Sequence, residues 1–352
     1  MLRADEELTR SVEKEMAMEE KRYARYLRGR KTALLTCSLE TNTTLSPMYF
    51  THCTPGKKME DELAATTGAS LQVFSFKIAE IKAGLQWPLY VYGVVAARDK
   101  VDYNRNLLFN RTRDDAQLVT LDDPFLRLIG PARGILPDPD FEVELRVKGR
   151  TKYRDRALIN DRHPYIGSFH YDGLYTVPFW NCLCRCELST ELLGKSVQAT
   201  ILGVRIVKGT FRYGGRVAFS SPSHQVAIVD SQGAIQEVID PMSTMVVLLD
   251  SHYCHGGEMP MSSDDYLDLT RRVVSVELRE SHFLYPEKLE ETFKVVIQVY
   301  SKCGDITAQG HVKAVKLTPK LSNISQTVCY LGDSVVEIIV AWSVHVEEKV
   351  FL

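Results

Sequence analysis

The chain has 352 residues, of which 45% are hydrophobic and 25% charged, the balance of a soluble globular protein. Its 43 Lys and Arg against 45 Asp and Glu give a net charge of -2. A protein that coats nucleic acid usually has a basic excess, so we expect no nucleic-acid partner. No apolar run approaches the roughly 20 residues that cross a bilayer, so we expect no membrane association either.

A charged helical leader is predicted at the N-terminus, over residues 1–31. Residues 4–31 contain no Pro, and no Gly before Gly29. Acidic residues come first and basic residues last, the order that suits a helix dipole. The apolar stripe is thin: Leu8, Val12, Met16, Tyr23 and Leu27. So few apolar positions favour a solvated helix over one that docks on a partner or forms a coiled coil.

The cysteines and the N-terminal composition bear on the cellular compartment. Eight cysteines are present, and the first residues lack the apolar stretch of a secretory signal. Acidic residues crowd the start, whereas plastid transit peptides avoid them. We therefore expect a cytoplasmic or nuclear protein whose thiols are reduced.

A polar connector at 32–70 precedes a β-rich domain at 71–352. From Leu71 onward apolar residues recur with period two, as in FEVELRV at 141–147. This pattern predicts an all-β fold, an antiparallel β-sandwich or stacked sheets. A hinge near 208–222 is the alternative to a single domain. The predicted strands are 72–81, 89–97, 141–147, 197–207, 217–220, 226–229, 246–249, 273–278, 293–299 and 335–346.

The segment NCLCRC at 181–186 is the densest cluster of potential metal ligands. On a strand, Cys182, Cys184 and Cys186 share one face, and SHYCHGG at 251–257 adds two histidines and a cysteine for a tetrahedral zinc site. The spacing does not match zinc ribbons or fingers, and cysteine is often a plain core residue. We favour core packing over a metal or redox role.

An aromatic segment at 163–180 is the first choice for a ligand surface. It contains His170, Tyr171, Tyr175, Phe179 and Trp180 among Gly and Pro residues. Such rings stack on sugars, bases or a partner's proline. The competing interpretation, which the composition favours, is that the segment covers an open sheet face.

Acidic and amide side chains at 96–115 form a third candidate. Asp99 and Asp102 lead a set of oxygen ligands of the kind that bind calcium in β-sandwich loops. Interleaved arginines, including Arg98 and Arg105, neutralise these acids without a metal. Arginine–aspartate pairing is therefore the favoured interpretation.

Catalytic motifs are absent from the sequence. It has no Gly-x-Gly-x-x-Gly, no Gly-x-x-x-x-Gly-Lys-Ser/Thr phosphate-binding loop, no His-Glu-x-x-His and no Gly-x-Ser-x-Gly. We accordingly predict no catalytic residue and no cofactor.

Several segments resemble one plant family. They are SPMYFTHCTPG (46–56), FSFKIAEIKAGLQWPLYVYGVVAARDKVDYNRNLLF (74–109), DDPFLRLIGPARGI (122–135), FEVELRVKG (141–149), SVQATILGVRIVKGTF (196–211), YLDLTRRVVSVEL (266–278) and VVEIIVAWSVHVEEK (335–349). The chain is similar over these segments to the DUF6598 family, a domain of unknown function abundant in cereals. A similar module accompanies the rRNA N-glycosidase domain of some jasmonate-induced, ribosome-inactivating cereal proteins, which implies a stress or defence setting. The Glu-Ala-x-Arg segment of those glycosidases is missing here, and no catalytic residue is carried over.

Three functional hypotheses follow. The leading one is a non-catalytic β-rich module that binds a protein, with a glycan as the other ligand class. The alternative is an activity related to rRNA N-glycosidases, through the family resemblance. The third is metal binding at the Cys182–Cys186 segment or in the 99–115 hairpin.

Overall fold

A computed structural model describes most of the chain. The described residues are 2–33, 42–45, 65–165, 173–209, 213–220, 226–229, 235–239, 245–253, 257–278, 293–300 and 312–346. They form one N-terminal α-helix followed by antiparallel sheets, which confirms the all-β prediction of stacked sheets after a charged helix. None of the helices in this described part has the length and apolar character that crossing a bilayer requires.

The first pair of stacked sheets lies in the N-terminal half. One sheet has the strand order β6-β2-β10-β9, and the other has the order β4-β3-β7-β8 with β5 beside β3. After the short β1 (Ala65–Thr66), the strands are β2 (Ser70–Ile81), β3 (Leu89–Arg98), β4 (Asn106–Arg111), β5 (Gln117–Val119), β6 (Phe125–Leu126), β7 (Asp140–Val147), β8 (Arg156–Pro164), β9 (Leu174–Trp180) and β10 (Cys184–Leu193).

The second pair of stacked sheets follows in the C-terminal half. Its sheets have the orders β16-β11-β20-β19 and β15-β12-β17-β18, while β13 pairs with β14 and β21 returns to pair with β1. The strands are β11 (Ser196–Lys208), β12 (Gly215–Ser220), β13 (Val226–Val229), β14 (Ile235–Ile239), β15 (Met245–Asp250), β16 (Val273–Glu277), β17 (Phe293–Val299), β18 (Val312–Leu317), β19 (Ile324–Leu331), β20 (Ser334–Ser343) and β21 (His345–Val346).

Each sheet pair encloses its own hydrophobic core. In β7, Phe141, Val143 and Leu145 point inward and are fully buried in the first core, as their period-two spacing predicts. In the second core, Trp342 of β20 packs edge-on against Phe293 of β17 with ring centroids 5.1 Å apart. The buried apolar residues of the described strands therefore form two main clusters.

The strands change from one sheet pair to the other at Gly194 and Lys195, between β10 and β11, although Phe74 of β2, Val101 and Leu136 pack into the second core. The hinge considered near 208–222 lies inside the second sheet pair, where β11 ends and β12 begins. The two sheet pairs meet where β2 contacts β15 and β16. A buried hydrogen bond there joins the backbone N–H of Ser275 to Oε1 of Gln72 at 2.7 Å.

Helix α1 (Leu2–Ala33) forms as predicted but does not stand free in solvent. It packs against β8, and the side chains of Val12, Glu19 and Tyr23 are at most 7% exposed. The prediction of a solvated helix was wrong because a thin apolar stripe is supplemented by polar anchors. The two-residue β1 lies within the predicted 32–70 connector, and β2 begins at Ser70.

Candidate binding groove

Glu19 anchors helix α1 to the first sheet pair. Its Oε1 accepts a hydrogen bond from the backbone N–H of Asn160 at 2.6 Å, and its Oε2 accepts one from Nδ2 of Asn181 at 2.9 Å. Asn160 lies in β8, the edge strand of its sheet, where backbone donors lack a neighbouring strand. Burial raises the pKa of Glu19, although both hydrogen bonds oppose this shift.

Asn181, the second hydrogen-bond partner of Glu19, lies in a tight turn. Its side-chain Oδ1 accepts hydrogen bonds from the backbone N–H groups of Leu183 and Cys184, at 2.8 and 2.9 Å. This is an Asx-type turn, which asparagine forms readily between strands. The turn connects β9 to β10 and places Trp180 and Cys182 on either side of Asn181, facing the helix.

A surface groove of about 800 Å³ separates the helix from this turn. One wall is the helix face that carries Met18, Arg22 and Arg25, which lie at helical spacing. The opposite wall is formed by Trp180 and Cys182. Both walls expose large apolar side chains, because Met18 is 62% and Trp180 64% exposed.

The structure separates the aromatic residues that the sequence singles out. Trp180 points outward, whereas Phe179 is fully buried, with its ring 6.0 Å from that of Phe76. Tyr175 is 41% exposed and packs edge-on against Tyr165 at the other end of β9. Trp180 lies five positions further along the strand, roughly 17 Å away. His170 and Tyr171 lie outside the described residues.

Cys184 and Cys186 belong to the core of the first sheet pair. Both are fully buried, and their Sγ atoms lie 3.8 Å apart. A hydrogen bond with Cys184 and burial raise the pKa of the Cys186 thiol. Cys182 lies before the strand, in the turn, and does not share this face. Its pKa is raised by burial and by Glu15.

Asp99 and Asp102 bind a buried arginine. Arg133 is fully buried and donates to both carboxylate oxygens of Asp99 at 2.6 Å, and to Oδ1 of Asp102 at 2.9 Å. Burial opposes the ionisation of Asp102, but Arg133 and Thr43 outweigh it and hold its pKa below the usual value. The neutralising arginine comes from outside the predicted hairpin. Among the described residues, no group of three His, Cys, Asp or Glu side chains is arranged to hold a metal ion.

Glu142 forms a second buried ionic cluster beneath helix α1. It accepts hydrogen bonds from Nε of Arg98 at 2.7 Å, Nε of Arg105 at 2.8 Å and the hydroxyl of Tyr26 at 2.8 Å. Burial disfavours its charged form, yet these arginines hold its pKa below the ordinary value. Although this is a Glu–Arg set beside tyrosines, Glu142 is only 1% exposed. The cluster therefore offers no surface to a nucleobase.

Residues 70–340 match the profile of the DUF6598 family, described as a domain of unknown function. The chain belongs to the DUF6598 family. The match includes the first sheet pair, the second up to residue 340 within β20, and Asn181, while helix α1 and its anchor Glu19 precede it. One wall of the groove is thus part of the DUF6598 domain, and the other is contributed by the helix before it.

Comparisons beyond the DUF6598 family yield only distant structural likeness. Human GIVD cytosolic phospholipase A2 superposes with a TM-score of 0.25 and 8% identity, covering 80% of this chain and 33% of the phospholipase. The chain thus spans about a third of that protein. The two calcium-bound C2 domains of extended-synaptotagmin 2 superpose with a TM-score of 0.22 and 11% identity, covering 81% of this chain and 99% of that one. Similarity this low carries no information about activity, and no curated protein sequence matches the chain.

Several important residues of the DUF6598 domain escape sequence reasoning. Arg133 lies in a Gly- and Pro-rich segment that reads as a loop, and Glu142 occupies the polar position of an alternating strand. Both are buried because another element covers them. Asn181 stands out in the sequence only as a neighbour of the cysteines, yet its position before a strand is a recognisable cue for an Asx turn.

Proposed function

We propose that this chain is a non-catalytic binding module whose groove between helix α1 and Trp180 takes a segment of a partner protein. The observation that carries the proposal is the pair of exposed apolar side chains, Met18 and Trp180, on opposite walls of the same groove. Exposed aromatic and methionine side chains are typical anchors of protein interfaces. The interface then includes both the family domain and the helix before it.

The charges around the groove favour an acidic partner segment. The helix wall carries Lys21, Arg22 and Arg25, all exposed. Of the two acids that line the groove, Glu19 is buried and already bound to Asn160 and Asn181, and Glu15 is exposed. Arg22 also lies 3.6 Å from Asp161, but it is largely exposed. An acidic segment with one bulky apolar side chain matches this surface. The basic residues of the helix attract its acidic groups, and Trp180 packs on its apolar side chain.

The cellular setting rests on the family resemblance. Because similar modules accompany ribosome-inactivating proteins in cereals, we place the partner in a plant stress or defence process, in the cytoplasm or nucleus. The rRNA N-glycosidase alternative gains no support from the described residues, since their Glu–Arg set at Glu142 is buried. A glycan that stacks on Trp180 is the other ligand class that the groove accommodates.

The test is a capture experiment with the full chain as bait in nuclease-treated extract of stressed cereal leaf. Four baits are compared: wild type, Trp180→Ala, the double charge reversal Arg22→Glu/Arg25→Glu, and Tyr153→Ala. Tyr153 is a matched control because it is an exposed aromatic, 100% accessible, outside the groove. We expect a protein retained by wild type and Tyr153→Ala and lost from the other two baits. A photo-crosslinking amino acid that replaces Met18 in the wild-type bait should then form a crosslink to that same protein.

Other outcomes decide between ligand classes. Identical captured proteins on all four baits would reject the groove as the interface. Binding of a glycan array that requires Trp180 but tolerates the charge reversal would replace the protein partner with a neutral glycan. Recovery of ribosomal proteins that disappears with nuclease would point to RNA-mediated capture instead.

A further inference from the structure

A second cavity, separate from the groove, lies where the two sheet pairs meet. It is a cleft of about 380 Å³, within the range of small-molecule sites, which is about 300–1,000 Å³. One side is formed by β2, β6 and the residues after β6, and the other by β12, β15 and the segment that precedes β16. Apolar side chains from both sides line it, among them Leu128, Ile129, Met245 and Val247. Neither sheet pair forms this cleft alone.

Arg271 lines the cleft and differs from the other buried arginines of the described chain. It is 2% exposed, and its guanidinium donates only to the carbonyl oxygens of Val73 at 2.9 Å and Phe74 at 3.1 Å. The others each lie within 2.8 Å of a carboxylate: Arg98 and Arg105 at Glu142, Arg133 at Asp99, and Arg216 at Asp250. Arg271 has no such partner among the described residues.

A buried guanidinium without a counterion is unfavourable, because taking a charge out of water is costly unless an opposite charge compensates. Burial accordingly lowers the pKa of Arg271 to about 9, which still leaves it mainly charged at neutral pH. A guanidinium has five N–H donors, and the Nε of Arg271 has no hydrogen-bond partner. The side chain thus retains both charge and donor capacity beside an apolar cleft.

We propose that the cleft binds a small amphipathic carboxylate, with its anionic group at Arg271 and its apolar tail along Met245 and Val247. A carboxylate suits a guanidinium in charge and in planar geometry. A single carboxylate fits better than a polyanion, because three aspartates, Asp123, Asp250 and Asp268, also line the cleft. Two of its other arginines, Arg111 and Arg216, are already paired with Asp115 and Asp250. The volume suits one short aliphatic or aromatic tail.

The test is calorimetric titration of the full chain with decanoate, below its micellar concentration, and with decanol, which has the same tail and no charge. We expect decanoate to bind stoichiometrically and decanol at least tenfold more weakly. Undetectable decanoate binding, or equal affinities for the two, would overturn the proposal.

Two variants test the cleft and its charged group separately. Val247→Trp fills the cleft and leaves the hydrogen bonds of Arg271 in place, so it abolishes decanoate binding if the site is correct. Its matched control is Val328→Trp, a substitution of a 50% exposed strand valine outside the cleft, which leaves binding intact. Arg271→Gln removes the charge and abolishes the preference for decanoate over decanol. Unchanged decanoate binding in folded Val247→Trp would overturn the site, and an unchanged preference in folded Arg271→Gln would overturn its chemistry.

Discussion

The carboxylate of Glu19 accepts a hydrogen bond from the backbone N–H of Asn160, 141 residues further along the chain, at 2.6 Å. This contact ties helix α1 to the edge strand β8 and satisfies a buried donor there. The same carboxylate holds Asn181, whose turn carries Trp180 and Cys182. One side chain therefore sets the separation of the two walls of the groove.

Replacing Glu19 with Ala should destabilise the protein by about 2 kcal/mol, because the N–H of Asn160 and the amide of Asn181 lose their acceptor. Urea unfolding gives the free energy of unfolding, and hydrogen exchange at the Asn160 amide should accelerate in parallel. Glu13→Ala is the control: Glu13 is exposed on the same helix, and its change should stay below about 0.5 kcal/mol. An unaltered exchange rate at Asn160 in Glu19→Ala would contradict the anchor.

Replacing Arg133 with Met should cost about 3–5 kcal/mol, because it leaves Asp99 and Asp102 with uncompensated buried charge. Chemical unfolding at neutral pH measures this loss in the free energy of unfolding. Lys82→Ala provides the comparison, since Lys82 and Glu80 form an exposed pair whose loss should cost under about 1 kcal/mol. A similarly small loss for Arg133→Met would show that the buried pairing contributes little.

His345 should make the protein lose stability in mild acid. Burial lowers its pKa to about 4 from an ordinary value near 6.5, with Asp99 opposing the shift and Arg133 adding to it. Between these values the unfolded chain binds a proton that the folded chain does not, so the free energy of unfolding falls as pH falls through this window. The full shift corresponds to about 3 kcal/mol.

The measurement is urea unfolding at several pH values for wild type and His345→Gln. Glutamine does not titrate, so the slope between pH 6.5 and 4 should flatten in the variant. Parallel slopes for the two proteins would assign the acid sensitivity to other groups.

Trp180→Ala and Phe179→Ala should differ sharply in stability although the residues are adjacent. Trp180 is 64% exposed and its loss should cost under about 1 kcal/mol, whereas Phe179 is fully buried and its loss should cost about 3–5 kcal/mol. Thermal unfolding distinguishes them. A large destabilisation by Trp180→Ala would make that ring part of the core and remove it from the proposed interface.

Local alternation in the sequence is sufficient to predict many of the strands. Residues 141–147 alternate clearly between apolar and polar, and the structure places them in β7. Where alternation fails, prediction fails as well. β8 escapes prediction because RALINDRHP mixes charged and apolar residues without a regular period. In β19, Ile324, Val328 and Tyr330 are exposed, so apolar residues occupy its outward face and the alternation with polar residues is lost.

Residue type and short-range period are enough to specify the all-β class, the N-terminal helix and the core character of Cys184 and Cys186. Which charges are buried and which surfaces meet depends instead on the assembled fold. Glu19 binds a strand 141 residues away, and Arg271 hydrogen-bonds to carbonyls 197 and 198 residues before it. No local pattern encodes such contacts, since they arise only when separate elements cover one another and exclude water.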